Sequence, residues 1–281
     1  MMNDKKPKIL VLFYSLYGHV HRMALEVVKG VEEAGGEPQL MLVEELMPGK
    51  YLNDAAKEAK KRMTGIPIAD PRKDMADIDG LIVGTPTRFG NMCSQMRNFW
   101  DQTGPLWAKG SLIGKPAAVF TSTNTQHGGQ ETTIISTMLT LLHHGMILVG
   151  VPYSNKELSE GDQVSGGTPY GPSTIAGPKG KRTPSDNELN LAKKTGIHDP
   201  LVCMHMPREI QNIALQSLIV FFQKRNQMFF HLLDSGLLRV HMCLDVIRGR
   251  MSANDRKSIF LNGPFKHFFY EFILSGRIRG K

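Results

Sequence analysis

The chain reads as an α/β protein: a doubly wound sheet of five parallel strands with helices on both faces, followed by an unrelated carboxyl-terminal extension. Three observations predict this. Short apolar runs alternate with segments of helical period. Three of those runs end in turns rich in Gly, Pro, Ser or Thr. Composition then changes abruptly near residue 199.

Residues 8–14, KILVLFY, form a nearly continuous apolar run, as expected of a strand covered on both faces. After the turn SLYGH, Val20, Met23, Ala24, Val27, Val28 and Val31 trace one buried helical stripe. Gly35-Gly36 ends that helix. Residues 40–43 read as the second strand, and 44–78 as a polar, Lys-rich excursion. Residues 81–83 are the third strand, leading into GTPTRFGNM (84–92) and a helix over about 91–103. Residues 117–120 are the fourth strand, with a loop over 121–129. The next helix carries Ile134, Met138, Leu141 and Leu142, stops at Gly145, and precedes a fifth strand at 147–149. Right-handed crossovers reduce the possible topologies to a few doubly wound sheets.

Residues 152–187 show little apolar periodicity; a loop of that length inside a domain is usually functional or packed on a partner. A helix starting near Ser185 should break at Asp199-Pro200, because proline lacks the amide proton and crowds the preceding turn.

The chain has 281 residues, 41% hydrophobic and 21% charged, as in a soluble globular protein. Three cysteines without a Cys-x-x-Cys pair argue against a disulfide framework or a metal site, and suggest a reducing, cytoplasmic setting. The first apolar run is too short, at about seven residues, for a signal peptide. The net charge of +8 is unevenly spread. Residues 1–198 carry 22 Lys/Arg against 20 Asp/Glu, a net +2; residues 199–281 carry 12 against 6, a net +6. The second part also holds nine of the 13 phenylalanines. Two domains are therefore expected: 1–198, and a basic, Phe-rich extension over 199–281. Its charge-free stretch, 210–223, is too short to cross a bilayer, which takes about 20 residues. No transmembrane segment and no nucleic-acid partner are expected. The extension reads either as a segment packed on the core or, preferably, as the product of a frame change.

The three turns carry the chemistry. The first has no Gly-x-Gly-x-x-Gly and no Walker pattern, which disfavours a dinucleotide fold or an ATPase. It offers the Ser15 hydroxyl, Gly18 and the amides of a helix start, which suit a phosphate; an ordinary capped turn is the alternative. The second, with Thr87, Arg88 and Phe89, could present amides to a flat polar ring, although a lone Arg is more often a surface ion pair. The third, residues 121–130, is rich in hydroxyls and amides and reads as a ligand wall or a solvated turn. Trp107 is packed on the body unless the ligand is flat, and His143 and His144 end a helix. No protein nucleophile stands out, and such a site suits a cofactor that brings its own chemistry.

Six motifs in order, SLYGHV (15–20), GTPTRFGNM (84–92), DQTG with LW (101–107), GQE (129–131), HHGM (143–146) and GGTPYG (166–171), closely resemble the WrbA-type NAD(P)H:quinone oxidoreductases over about residues 8–197. These are FMN enzymes of the flavodoxin-like fold. The resemblance implies that Ser15, Leu16, Tyr17, Gly18, His19 and Val20 bind the FMN phosphate. It implies that Thr87, Arg88 and Phe89 line the isoalloxazine, with Ser122, Thr123, Asn124, Thr125, Gln126 and Gly128 as a second wall. His143 would also contact the flavin, Tyr17 the nicotinamide dinucleotide, and Trp107 the quinone or the nicotinamide. No metal is implied. The implied reaction is a two-step exchange: NADH or NADPH passes hydride to flavin N5 and leaves, then a quinone enters the same space and takes two electrons. A homotetramer with shared active-site walls and a role in quinone detoxification follow from the same resemblance. The third loop is one residue longer than the family's usual glycine-rich form. Two rival readings are a flavodoxin-like electron carrier, which near-neutral charge over 1–198 disfavours, and a non-enzymatic binding module.

Overall fold

The computed structural model describes residues 6–205. In chain order the elements are β1 (Lys8–Phe13), α1 (His19–Glu33), β2 (Glu37–Leu42), α2 (Asp54–Lys61), β3 (Gly80–Arg88), β4 (Asn91–Met92), α3 (Ser94–Asp101), α4 (Gly104–Ala108), β5 (Pro116–Thr123), α5 (Gln130–His143), β6 (Ile147–Leu148), β7 (Ser173–Ile175) and α6 (Asp186–His205). The parallel sheet runs β2-β1-β3-β5-β6, with β4 folded back on β3 and β7 beside β5. In sequence order those five parallel strands stand 2-1-3-4-5, the flavodoxin-like arrangement. The predicted fold is the one observed.

Strand side chains alternate between two cores, as the pleat requires. Leu10, Leu12, Leu81, Val83, Ala117 and Val119 face Met96, Phe99, Trp100, Ile134, Met138 and Leu141 of α3 and α5. Ile9, Val11, Phe13, Ile82, Ala118 and Phe120 face Val20, Met23, Ala24, Val27 and Val31 of α1, with Ala192 of α6. Gly84 lies under the Phe120 ring, where any Cβ would overlap it.

Four expectations change. The second and third turns begin later than their Gly/Pro/Thr content suggests: β3 continues through Pro86 to Arg88 and β5 through Thr123, because each supplies the other's ladder up to Pro86↔Ser122. The excursion contains α2, capped by the Asn53 side chain on the Ala56 amide, with a minimal buried stripe of Ala56 and Ala59. The long Gly/Pro/Ser/Thr loop contributes β7, and one carboxylate ties several of its segments together. Glu188, fully buried, accepts from the amides of Gly166, Ile175 and Ser185, from the Thr174 hydroxyl and from Arg182. With Ser185 it forms a capping box that starts α6.

The fourth change concerns Pro200, which does not end α6; the helix continues to His205. Packing overrides the local penalty of about 3 kcal/mol. Gly30 and Gly196 let α1 and α6 touch backbone to backbone, and a methyl on Gly36 would meet the Pro200 ring at 3.2 Å. The basic extension beyond residue 205 lies outside the described residues.

Asp199 is carried into the protein by that continuation. It is fully buried beside Gly80 at the amino end of β3, and neither carboxylate oxygen has a hydrogen-bond partner among the described residues. Burial raises its pKa well above the ordinary carboxylate value of 3.8. The folded chain therefore keeps a proton that the unfolded chain releases, so stability is full below about pH 4 and declines as pH rises toward the folded pKa. Asp199→Asn should raise the urea midpoint at pH 7 and leave it unchanged below about pH 4. Equal effects at both pH values would show that the carboxylate is not buried in the way described.

Candidate functional site

Parallel strands place the three turns on one edge. Phe13 pairs with Gly84, and Gly84 with Phe120, so at the end of β1 the three strands lie side by side about 5 Å apart, with β3 and β5 continuing together to Pro86↔Ser122. The Tyr14 amide donates to the Gly84 carbonyl at 3.0 Å, and the Thr121 hydroxyl to the Thr85 carbonyl at 2.7 Å. These bonds stitch the rim together.

The first turn is built to leave a helix end open. Gly18 sits in the left-handed region at φ 91°, no side chain caps α1, and no acidic residue lies in its first turn. The buried Ser15 hydroxyl accepts from the Gly18 amide at 3.1 Å, which leaves its own proton to donate. The first amides of α1 thus point outward with the positive end of the helix dipole. Two histidines stand by. His19 is held by the Arg182 carbonyl at 2.9 Å, and His21 stacks on Phe13; burial lowers both pKa values, so both are neutral at pH 7. Tyr17 is exposed, with the Asn53 amide 3.5 Å from its hydroxyl.

The second turn is a two-residue hairpin, Phe89-Gly90, joining β3 to β4. Both residues have positive φ, 52° and 77°. That is normal for Gly and unfavourable for Phe, since hairpins of this kind prefer Asn or Asp at the first position. The strain presents the Phe89 ring fully to solvent. Arg88, also exposed, donates to the Thr87 carbonyl at 2.8 Å. The third turn has buried Ser122 and Thr123, then exposed Asn124, Thr125, Gln126 and His127, and ends at Gly129, a left-handed start to α5 with no side-chain cap. Thr133 of α5 donates to Thr87 at 2.6 Å, locking the second and third walls.

Behind the first turn lies a second polar cluster. Glu45 accepts from Lys60 at 2.6 Å, Tyr14 at 2.7 Å, Gln95 at 2.8 Å and the Met47 amide at 2.9 Å. Burial pushes its pKa up, but these donors outweigh it and hold the carboxyl down at about 2. The cluster clamps the segment carrying α2 against the end of β1. Sequence reading missed it because its members lie up to 81 positions apart.

Trp107 and His143 are elsewhere. The Trp107 indole donates to the His143 carbonyl at 2.9 Å, and His144 bonds Thr103 at 3.0 Å beside Trp100. The Gly114 amide donates to Gly145, and Ile147 pairs with Pro116, the first residue of β5. This is the amino edge of the sheet, opposite the three turns. Trp107 lies on the short helix α4 instead of in a loop, and is exposed. No group of three or more metal-ligating side chains occurs among the described residues.

Fold and rim together define a flavodoxin-like domain with an open helix end and an exposed aromatic on its carboxyl edge. A model of the NADPH-dependent FMN reductase family matches residues 7–158. A protein of Chromohalobacter salexigens named NAD(P)H dehydrogenase (quinone) is 56% identical over 68% of this chain and 94% of its own length. Proteins of the same name from Aromatoleum aromaticum and Geotalea uraniireducens are 53% and 50% identical, over 93% and 100% of their lengths and 68% and 72% of this chain. A solved WrbA-like flavodoxin from Agrobacterium tumefaciens is 21% identical, with a TM-score of 0.47, over 70% of this chain and 98% of its own. The chain belongs to the NADPH-dependent FMN reductase family.

The backbone strain at Phe89 is measurable. Phe89→Asn should stabilise the fold by about 0.5–1 kcal/mol, read as a higher thermal midpoint, because Asn tolerates the left-handed region. A lower midpoint would mean that the ring contributes more to folding than its exposure indicates.

Proposed function

We propose that this chain is an FMN-dependent enzyme that reduces quinones to hydroquinones with NADH or NADPH. The observation that carries the reading is the convergence of three ligand-type turns on one edge, in a chain at least 50% identical to proteins named NAD(P)H dehydrogenase (quinone) over nearly their whole length.

The rim fits FMN. A phosphate needs donors and no nearby carboxylate; the uncapped start of α1, the free Ser15 proton and the absence of an acid in that turn meet this. Ser15, Leu16, Tyr17, Gly18, His19 and Val20 would hold it. Thr87, Arg88 and Phe89 would lie along one side of the ring, and Ser122, Thr123, Asn124, Thr125, Gln126 and Gly128 along the other. FMN bound there would supply the redox chemistry, a two-electron exchange between nicotinamide and quinone. The side chains orient flat rings and keep the space between them narrow. Tyr17, which is exposed, would contact the dinucleotide.

One chain does not complete this site. His143 and Trp107 lie a full helix length from the rim, about 20 Å along the 14 residues of α5. For either to meet the flavin, a second copy must bring its amino edge to the carboxyl edge of the first. The outer face of α5 suits such contact: Ile135, Leu139 and Leu142 are exposed at helical spacing. A homotetramer sharing its site walls is consistent with this arrangement. No described helix is long and apolar enough to cross a membrane, and we place the enzyme in the cytoplasm. Residues 1–198 would form the catalytic domain, apart from the extension.

The purified protein should bind FMN and turn over NAD(P)H with a simple benzoquinone, giving parallel double-reciprocal lines because both substrates use one space in turn. Intersecting lines would rule out that order, and one-electron transfer without quinone turnover would favour an electron carrier. Trp107→Ala should lower quinone turnover roughly tenfold, the order expected when a positioned ring is lost, while flavin stays bound. Loss of flavin in that variant would contradict the assignment.

A further inference from the structure

We propose that Arg62 is a ligand of the FMN phosphate, reaching the first turn from the polar excursion. The inference rests on the FMN reading above.

The geometry comes from α2. Its last turn packs against the first loop: a methyl placed on Gly18 would stand 3.7 Å from the Ala59 side chain and 3.4 Å from a terminal nitrogen of Arg62. Ala59 and Met63, which bracket Arg62, are buried, and Met63 belongs to the core under β1 and α1. Lys60 is fixed by Glu45 at 2.6 Å and lies over the Tyr14 ring. The backbone on both sides of Arg62 is therefore anchored, while its side chain remains exposed.

Its charge is uncommitted. Lys57, Lys60 and Lys61 of α2 each face a carboxylate, Asp54, Glu45 and Glu58 respectively. Arg62 faces none among the described residues. Its positive charge reaches the first turn of α1, where it adds to burial in disfavouring the charged form of His21. With His19 and His21 neutral, Arg62 is a full positive charge directly against the turn where the α1 amides open. A guanidinium offers forked donors that match phosphate oxygens, so it complements the amides without competing for their positions.

Flavin titrations by fluorescence quenching test this on the full chain, with FMN and with riboflavin, which lacks the phosphate. Arg62→Ala should weaken FMN on the order of 10- to 100-fold, as for a charged hydrogen bond, and change riboflavin by less than about twofold. Arg62→Lys should recover part of the loss. Raising salt should weaken FMN binding to the wild type more than to Arg62→Ala, because the contact is exposed and screened. Unchanged FMN affinity in Arg62→Ala would overturn the assignment, as would equal losses for both flavins, which would mark a structural role. Unchanged FMN affinity with a selective rise in the KM for NADPH over NADH would overturn it in favour of the nucleotide's own phosphate. A wild-type chain that binds riboflavin phosphate no better than riboflavin would remove the Arg62 proposal and leave the rest of the ring site standing. One that binds neither would remove the FMN reading itself.

Discussion

Parallel strands cannot be joined by tight turns, so each must be followed by a crossover that returns the chain to the opposite edge. Every turn that follows a strand in this sheet consequently opens on the same side. That constraint gathers Ser15, Thr87 and Ser122, spread over more than 100 positions of the chain, at one edge of three adjacent strands. It also sends α4 and the carboxyl end of α5 to the other side, which is why Trp107 and His143 stand apart from the turns. One rule both creates the rim and leaves it incomplete.

Holding that rim open has costs that are met nearby. Gly18 and Gly129 start two helices without capping side chains, which forgoes roughly a few tenths of a kcal/mol at each. Phe89 adds backbone strain at the hairpin tip. The compensation lies in polar clusters behind the turns. Glu45 gathers four donors under the first turn, and Glu188 gathers the amides of three separate segments under the long loop. Glu188 is fully buried, so removing one of its partners costs about 3–5 kcal/mol, and the two carboxylates fix loops that have almost no apolar surface of their own.

Legibility followed the strength of the apolar signal. The β1, β3 and β5 cores and α1 were readable because their side chains repeat at the period of the element that buries them. β7 was not, since Ser173-Thr174-Ile175 owes its strand to the edge of β5 that short β6 leaves open, and α2 was not, since its buried stripe is only Ala56 and Ala59. Pro200 misled for the opposite reason: its local penalty is real, but glycine-mediated contact of α1 with α6 outweighs it. Among site residues, the turn motifs were recognisable as strings, whereas Arg62 and Glu45 carry no motif and acquire meaning only from what lies beside them.

By itself the sequence determined the alternation of strands and helices, the two-sided core, the three turns and the family, because apolar period and motif order are properties of the chain read along its length. Only the tertiary structure decided which of the expected site residues share an edge, which carboxylates are clamped and which is buried without a partner among the described residues, and which arginine stands over the open helix. Those are distances between segments far apart in the chain, and no local pattern encodes them.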